Sequence, residues 1–136
     1  KAFDVKDGLG LKRLLFDGIQ VAIISGRSSE AVARRVAELG IQEVYQGIAE
    51  KAHLCRQIIL QKGLRSEEVA CIGDDLPDLA MFGQSGLRVA VANAAPEVRE
   101  AADLVTQRKG GFGAIREVCE WILQCQGKWA KIDLYR

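Results

Sequence analysis

What this sequence lacks removes several functions before any motif is read. Nineteen Lys and Arg stand against eighteen Asp and Glu, a net charge of +1, so neither nucleic acid nor an acidic membrane surface is expected as a partner. No apolar run approaches the length of about 20 residues needed to cross a bilayer, and no secretory leader is visible. A cytoplasmic location is expected. The four cysteines, Cys55, Cys71, Cys119 and Cys125, show no C-x-x-C spacing, and three fall in apolar helical or strand patterns. Reduced, buried thiols suit them better than a disulfide or zinc framework. The single histidine, His53, has no partner in sight and reads as a surface or interface residue. No internal repeat or low-complexity tract appears. The chain also lacks an initiating Met: it opens on Lys1 in mid-pattern, as a piece of a longer protein would.

What is present suits one domain over residues 1–136, with 49% hydrophobic and 27% charged residues. Lys1 to Val5 alternates weakly and suggests the end of a strand. Asp7-Gly8-Leu9-Gly10 reads as a turn before a short helix that ends at Gly18. Ile19 to Ile24 is a β-branched run expected to be a strand covered on both faces. Ser28 or Ser29 then caps a helix that Gly40 stops. A strand over Glu43–Gln46 and a helix over Glu50–Lys62 follow, the latter with Leu54, Ile58 and Ile59 inward. Val69–Ile72 and Leu87–Ala92 read as buried strands, and Pro77 and Pro96 as helix starts. Asp103–Thr106 is a short final strand, Gly110–Gly113 a flexible loop, and Ala114–Gln126 a helix with Ile115, Val118, Ile122 and Cys125 on one stripe. The tail beyond has no clear pattern, although Trp129, Ile132, Leu134 and Tyr135 make it apolar. Strands alternating with helices across short loops predict an α/β fold with a parallel sheet.

In such sheets the site lies beyond the carboxyl ends of the strands. Val69-Ala-Cys-Ile-Gly-Asp-Asp-Leu-Pro-Asp78 crowds three carboxylates onto one strand-to-helix turn. Such acids repel one another unless a cation sits among them, and hard oxygen ligands with open positions suit Mg²⁺. The same residues also suit a solvated turn with an Asp-rich helix start. After the Ile19–Ile24 strand, the Ser25 hydroxyl and Gly26 amide can donate to a phosphate, and Arg27 adds a guanidinium. A plain turn and an exposed cation are the alternatives there. Lys51 falls in the first turn of a helix, where a cation opposes the macrodipole unless it has an anion to hold. An acidic turn, a Ser-Gly donor and a Lys on successive strand ends form a constellation for phosphoryl transfer, which needs charge neutralisation and positioning. A nucleophile is missing.

Ile24-Ser-Gly-Arg27, Glu50-Lys51, Gly73-Asp-Asp-Leu-Pro-Asp78 and Val91-Ala-Asn-Ala-Ala-Pro-Glu97 resemble successive motifs of the haloacid dehalogenase superfamily. Lys1-Ala-Phe-Asp-Val-Lys-Asp-Gly8, Tyr45-Gln-Gly47 and Gly110-Gly-Phe-Gly-Ala-Ile-Arg-Glu-Val118 are similar to its capless branch, the 3-deoxy-D-manno-octulosonate 8-phosphate phosphatases. The likeness runs from Lys1 to about Lys128. It implies a three-layer Rossmann-like parallel sheet and a cytoplasmic, Mg²⁺-dependent hydrolase of a sugar-acid phosphate in lipopolysaccharide synthesis. It also implies a homotetramer in which a hairpin from one subunit helps close the site of its neighbour. Under it Asp74 is the metal ligand, supported by Asp75 and Asp78. Ser25 and Lys51 hold the phosphate with Gly26. Asp4, Val5, Lys6, Asp7 and Gly8, with Lys12, Arg27 and Arg35, meet the sugar acid.

Three positions depart from the family. Asp4 stands where Asn is usual, and Lys6 and Lys12 where Arg is usual. The Lys residues keep charge without the bidentate fork, and Asp4 adds a negative charge beside an anionic substrate, so another nonulosonate phosphate stays open as the substrate. The family's nucleophilic Asp and its acid–base Asp lie on a first, central strand between the strands that correspond to Ile19–Ile24 and Val69–Ile72. No counterpart occurs from Lys1 on. Without such a strand two apolar edges would be exposed, so the natural protein is expected to carry that segment. Two other classes remain: a non-catalytic sugar-phosphate-binding or assembly module, and a receiver-type signalling domain, which would need a lone Asp on a middle strand end.

Overall fold

Short β-branched runs alternate with helical segments, and the computed structural model, which describes residues 5–111 and 113–127, forms them in that order. Helix α1 spans Val5–Phe16, strand β1 Ala22–Ile24, α2 Glu30–Glu38, β2 Glu43–Tyr45 and α3 Lys51–Lys62. A second run comprises β3 Ala70–Gly73, α4 Leu79–Phe82, β4 Leu87–Ala90, α5 Pro96–Ala101, β5 Leu104–Val105 and α6 Ala114–Cys125. Ser29 is the N-cap of α2, its Oγ accepting from Val32 N, and Gly63 closes α3 in the left-handed conformation. The expected strand over residues 1–5 lies outside the described residues except for Val5, which starts α1. The apolar tail beyond Gly127 lies outside them too.

Every strand pairing is parallel, in an α/β arrangement, but the strands form two sheets instead of one. β1 pairs with β2, Ile23 opposite Val44; β3 pairs with β4, Ile72 opposite Val89; and β4 pairs with β5, Ala90 opposite Val105. β1 and β3 are not bonded to each other, and among the described residues the inner edge of each has no ladder partner. Accordingly Ala22 and Ala70 are exposed, and Ile23, Ile24 and Ile72 are half-buried where a covered strand was expected. Two cores hold the layers. Leu11 and Leu14 of α1, Val36 and Leu39 of α2, and Cys119 and Leu123 of α6 form one. Cys71 of β3, Ala90 of β4, Met81 and Phe82 of α4 and Val98 of α5 form the other, with Ile24 packed against it.

The turn expected at Asp7–Gly10 is instead the first part of α1. Glycine inside a helix costs about 1 kcal/mol, and packing offsets that cost here. A Cβ on Gly10 would stand 3.1 Å from Arg116 Cα and 3.2 Å from Cys119 Cβ, so the missing side chain lets α1 approach α6 closely. Asp7 completes the contact: it is 3% exposed, and its Oδ1 accepts from Arg116 N at 2.9 Å, satisfying one of the orphan amides at the start of α6.

The buried stripe of α6 is Ala114, Val118, Cys119 and Leu123, whereas Cys125 is exposed. Helix α3 buries no residue fully; Leu54, Ile58 and Ile59 are half-buried and Leu60 is exposed. All four thiols are free. Burial pushes those of Cys71 and Cys119 up to about 12, with the charges of Asp78 and Asp7 respectively adding to it, so neither supplies a thiolate at neutral pH. Gly10→Ala is expected to cost about 1–3 kcal/mol through overpacking, read as a lower urea midpoint. An unchanged midpoint would mean that α1 and α6 do not meet this closely.

Candidate active site

The acidic turn is built by Gly73 and Asp78. A Cβ on Gly73 would stand 2.7 Å from Asp78 Cβ, so only glycine lets the chain fold back at the end of β3. Asp78 is 4% exposed. Its Oδ2 accepts from Asp74 N at 2.9 Å and Asp75 N at 3.1 Å, and its Oδ1 accepts from Lys51 Nζ at 2.9 Å. Asp75 is exposed and its Oδ1 accepts from Leu76 N at 2.8 Å, capping the 3₁₀ turn Leu76–Asp78. Burial pushes the Asp78 carboxyl up, but the Lys51 ammonium and the two backbone N–H groups more than offset it, so the net shift is downward. Lys51, placed against its own helix dipole, therefore holds an anion of the protein itself.

This geometry sorts the three acids. Among the described residues no three His, Cys, Asp or Glu side chains converge to cage a metal. Asp78, with one oxygen on Lys51 and the other on two backbone amides, orders the backbone of the other two. Asp74, exposed at the end of β3, fits as a direct ligand: Mg²⁺ takes one or two carboxylates and fills its other positions with water and phosphate oxygen. The Asp74 carbonyl also accepts from Ala95 N at 3.0 Å, tying the loop after β4 to the acidic turn.

At the end of β1, Ser25 is half-buried while Gly26 and Arg27 are exposed. Arg27 N donates to Ser25 Oγ at 3.2 Å. Ile24, the residue before, packs against the core that carries Cys71 and Phe82, which keeps this loop on the side of β3. Arg35 is half-buried and comes against α1: a Cβ on Gly8 would stand 2.9 Å from its Nη2. Lys12 is exposed on α1. Asp7 does not belong with them at a ligand surface, because its carboxylate is buried at the start of α6. Asp4 and the side chains of Val5 and Lys6 lie outside the described residues. His53 is exposed.

One group of positioning contacts has no role in the sequence reading. The Thr106 hydroxyl, 3% exposed, accepts from Ala92 N at 3.0 Å and donates to Arg108 O at 2.5 Å. Asn93 Oδ1 accepts from Gly110 N at 2.8 Å, and the Glu117 carboxylate accepts from Gln107 N at 2.9 Å and Arg108 N at 3.0 Å. The stretch before the Gly-rich loop is thereby pinned to β4 and α6. An acid in the first turn of α6 was the available signal, since such a side chain reaches nearby backbone amides.

The sequence profile of the haloacid dehalogenase-like hydrolases matches residues 41–116. The chain belongs to this family. It is 45% identical over 133 residues to a 3-deoxy-D-manno-octulosonate 8-phosphate phosphatase of Haemophilus influenzae, covering 98% of this chain and 74% of that protein. The corresponding phosphatase of Escherichia coli K12 is 44% identical over 128 residues, covering 94% and 68%. Among solved members of the family, the Moraxella catarrhalis phosphatase in complex with magnesium ion, phosphate ion and KDO superposes with a TM-score of 0.89 at 45% identity, covering 93% of this chain and 73% of that one. The cobalt-bound Haemophilus influenzae phosphatase gives 0.92 at 45% identity, covering 98% and 78%.

Because the folded Asp78 carboxyl titrates below its ordinary value of 3.8, the stability it contributes is complete above that value and is lost as pH falls through the folded one. Unfolding free energies measured from about pH 5 to pH 2 should therefore fall more steeply for the parent than for Asp78→Asn. Parallel profiles would show that the Lys51–Asp78 pair adds nothing to acid-dependent stability.

Proposed function

We propose that this chain is a Mg²⁺-dependent phosphomonoester hydrolase acting on a sugar-acid phosphate, 3-deoxy-D-manno-octulosonate 8-phosphate, to give the free sugar acid and phosphate. The observation that carries the reading is the Lys51–Asp78 pair at 2.9 Å beside Asp74. It supplies a cation and a metal-ligating acid at one strand end, in a chain 45% identical to phosphatases of that name. Under this reading the protein is a single domain, cytoplasmic and homotetrameric, and works in lipopolysaccharide sugar synthesis. No helix among the described residues is long and apolar enough to cross a membrane.

The bound metal would neutralise charge on the phosphoryl oxygens, with Asp74 as its ligand and Asp75 and Asp78 in support. Lys51 has three protons to donate and gives one to Asp78, so it can hold a phosphate oxygen without leaving its partner. The Ser25 hydroxyl accepts from Arg27 N and keeps its own proton for a second phosphate oxygen, next to the Gly26 amide. Arg27, Arg35 and Lys12 would meet the sugar acid, whose carboxylate calls for cations, whereas Asp7 serves the start of α6. An aspartyl-phosphate route requires a carboxylate nucleophile, and apart from the acidic turn assigned to the metal none stands at a described strand end. We assign it to a further strand paired with the open inner edges of both β1 and β3.

The missing nucleophile is also what favours a second reading, a sugar-phosphate-binding module without catalysis. Phosphate release from 3-deoxy-D-manno-octulosonate 8-phosphate in Mg²⁺ decides between them. Hydrolysis that drops by about 10²-fold or more in Asp74→Asn supports the phosphatase. No release, with phosphate binding retained, would transfer the case to the binding module. Faster turnover of a 9-phosphate nonulosonate would move the substrate and leave the reaction class.

A further inference from the structure

The Tyr45-Gln46-Gly47 stretch has no part in the chemistry so far, yet it touches the phosphate-binding loop at every second residue. Ile48 N donates to Ser25 O at 3.0 Å, Gly47 N donates to Arg27 O at 3.2 Å, and Gln46 Nε2 donates to Ser29 O at 3.2 Å. Gln46 also takes the Ser29 N–H on its Oε1 at 2.5 Å. The carbonyls of residues 25 and 27 are therefore drawn toward the turn 46–48, and that of Ser29, which also accepts from Ala33 N at 3.0 Å in α2, is shared with it.

In a trans peptide the C=O of one residue and the N–H of the next point in opposite directions, and no peptide here is cis. Drawing those three carbonyls toward the turn sends the N–H groups of Gly26, Ser28 and Glu30 to the opposite side. None of these three amides has a protein acceptor among the described residues. Unpartnered amides on one face can donate to an anion, and the last of them opens α2, a helix of nine residues. Gly47 adopts φ +67°, a left-handed conformation that favours glycine, and a Cβ there would stand 3.2 Å from Ser28 Oγ. Both residues of the pair are thus fitted to the loop they hold.

We infer that Gln46 is a positioning residue for phosphate: by gripping both backbone groups of Ser29, with Gly47 and Ile48 behind it, it aims the amides of the Ser25–Glu30 loop at the ligand. The inference rests on the proposal that this loop binds phosphate. Binding of inorganic phosphate to the purified protein tests it in the parent, Gln46→Ala and Gln46→Glu, with Leu123→Val as a core variant that loses stability far from the loop. Losing both bonds in Gln46→Ala should weaken phosphate affinity about tenfold, while Leu123→Val binds as the parent does. Gln46→Glu keeps the bond from Ser29 N–H, which guards the test against an alanine variant that does not fold. It turns an oxygen toward Ser29 O and adds a negative charge, so its affinity should also fall. Parent-like affinity in either Gln46 variant overturns the inference and leaves the phosphatase reading in place. Equal losses in Gln46→Ala and Leu123→Val would reduce Gln46 to a merely structural residue and overturn it as well. A parent protein that binds no phosphate would remove the clamp, and this inference with it.

Discussion

The ion pair between Lys51 and Asp78 is the contact on which the rest of the site depends. Lys51 leaves the β1–β2 half at the start of α3, and Asp78 belongs to the turn after β3, so the pair joins two sheets that share no ladder. Asp78 alone would be a buried carboxylate, and removing the partner of a buried charge costs about 3–5 kcal/mol. Its other oxygen holds the amides of Asp74 and Asp75, so the same residue that takes the lysine also shapes the acidic turn. Clamp and acidic turn are in this sense one structure. The ammonium cannot drift without releasing the acidic turn.

Much of this was legible in the sequence, and what was not has physical reasons. Short β-branched runs and proline-led helices gave the strand order closely, because propensity and packing agree there. The Asp7–Gly10 segment was misread because glycine spacing signals a turn locally, and only packing against α2 at Gly8 and against α6 at Gly10 shows why two glycines sit in a helix. Asp78 looked like one more ligand among three acids, since spacing says nothing about which carboxylate is buried beside a lysine 27 residues away. Gln46 carried no signal as a residue type; its meaning comes from the carbonyls it meets.

The strands fall into two parallel sheets, and β1 and β3 are not bonded to each other. Ile23, Ile24 and Ile72 on these strands are only half-buried. What holds the two sheets together among the described residues is side-chain contact, Lys51 to Asp78 and Ile24 against the core of β3.

The contact between Asp7 and Arg116 spans 109 residues and orders events in time. α1 is made early, but the helix that covers its apolar face is nearly the last described element to be made. At 5–20 residues per second, Leu11 and Leu14 wait roughly 5–20 s for α6 to emerge. Through that interval α1 has α2 but not α6 to pack against, which makes a holding chaperone most useful during synthesis and of little use once the final helix has docked.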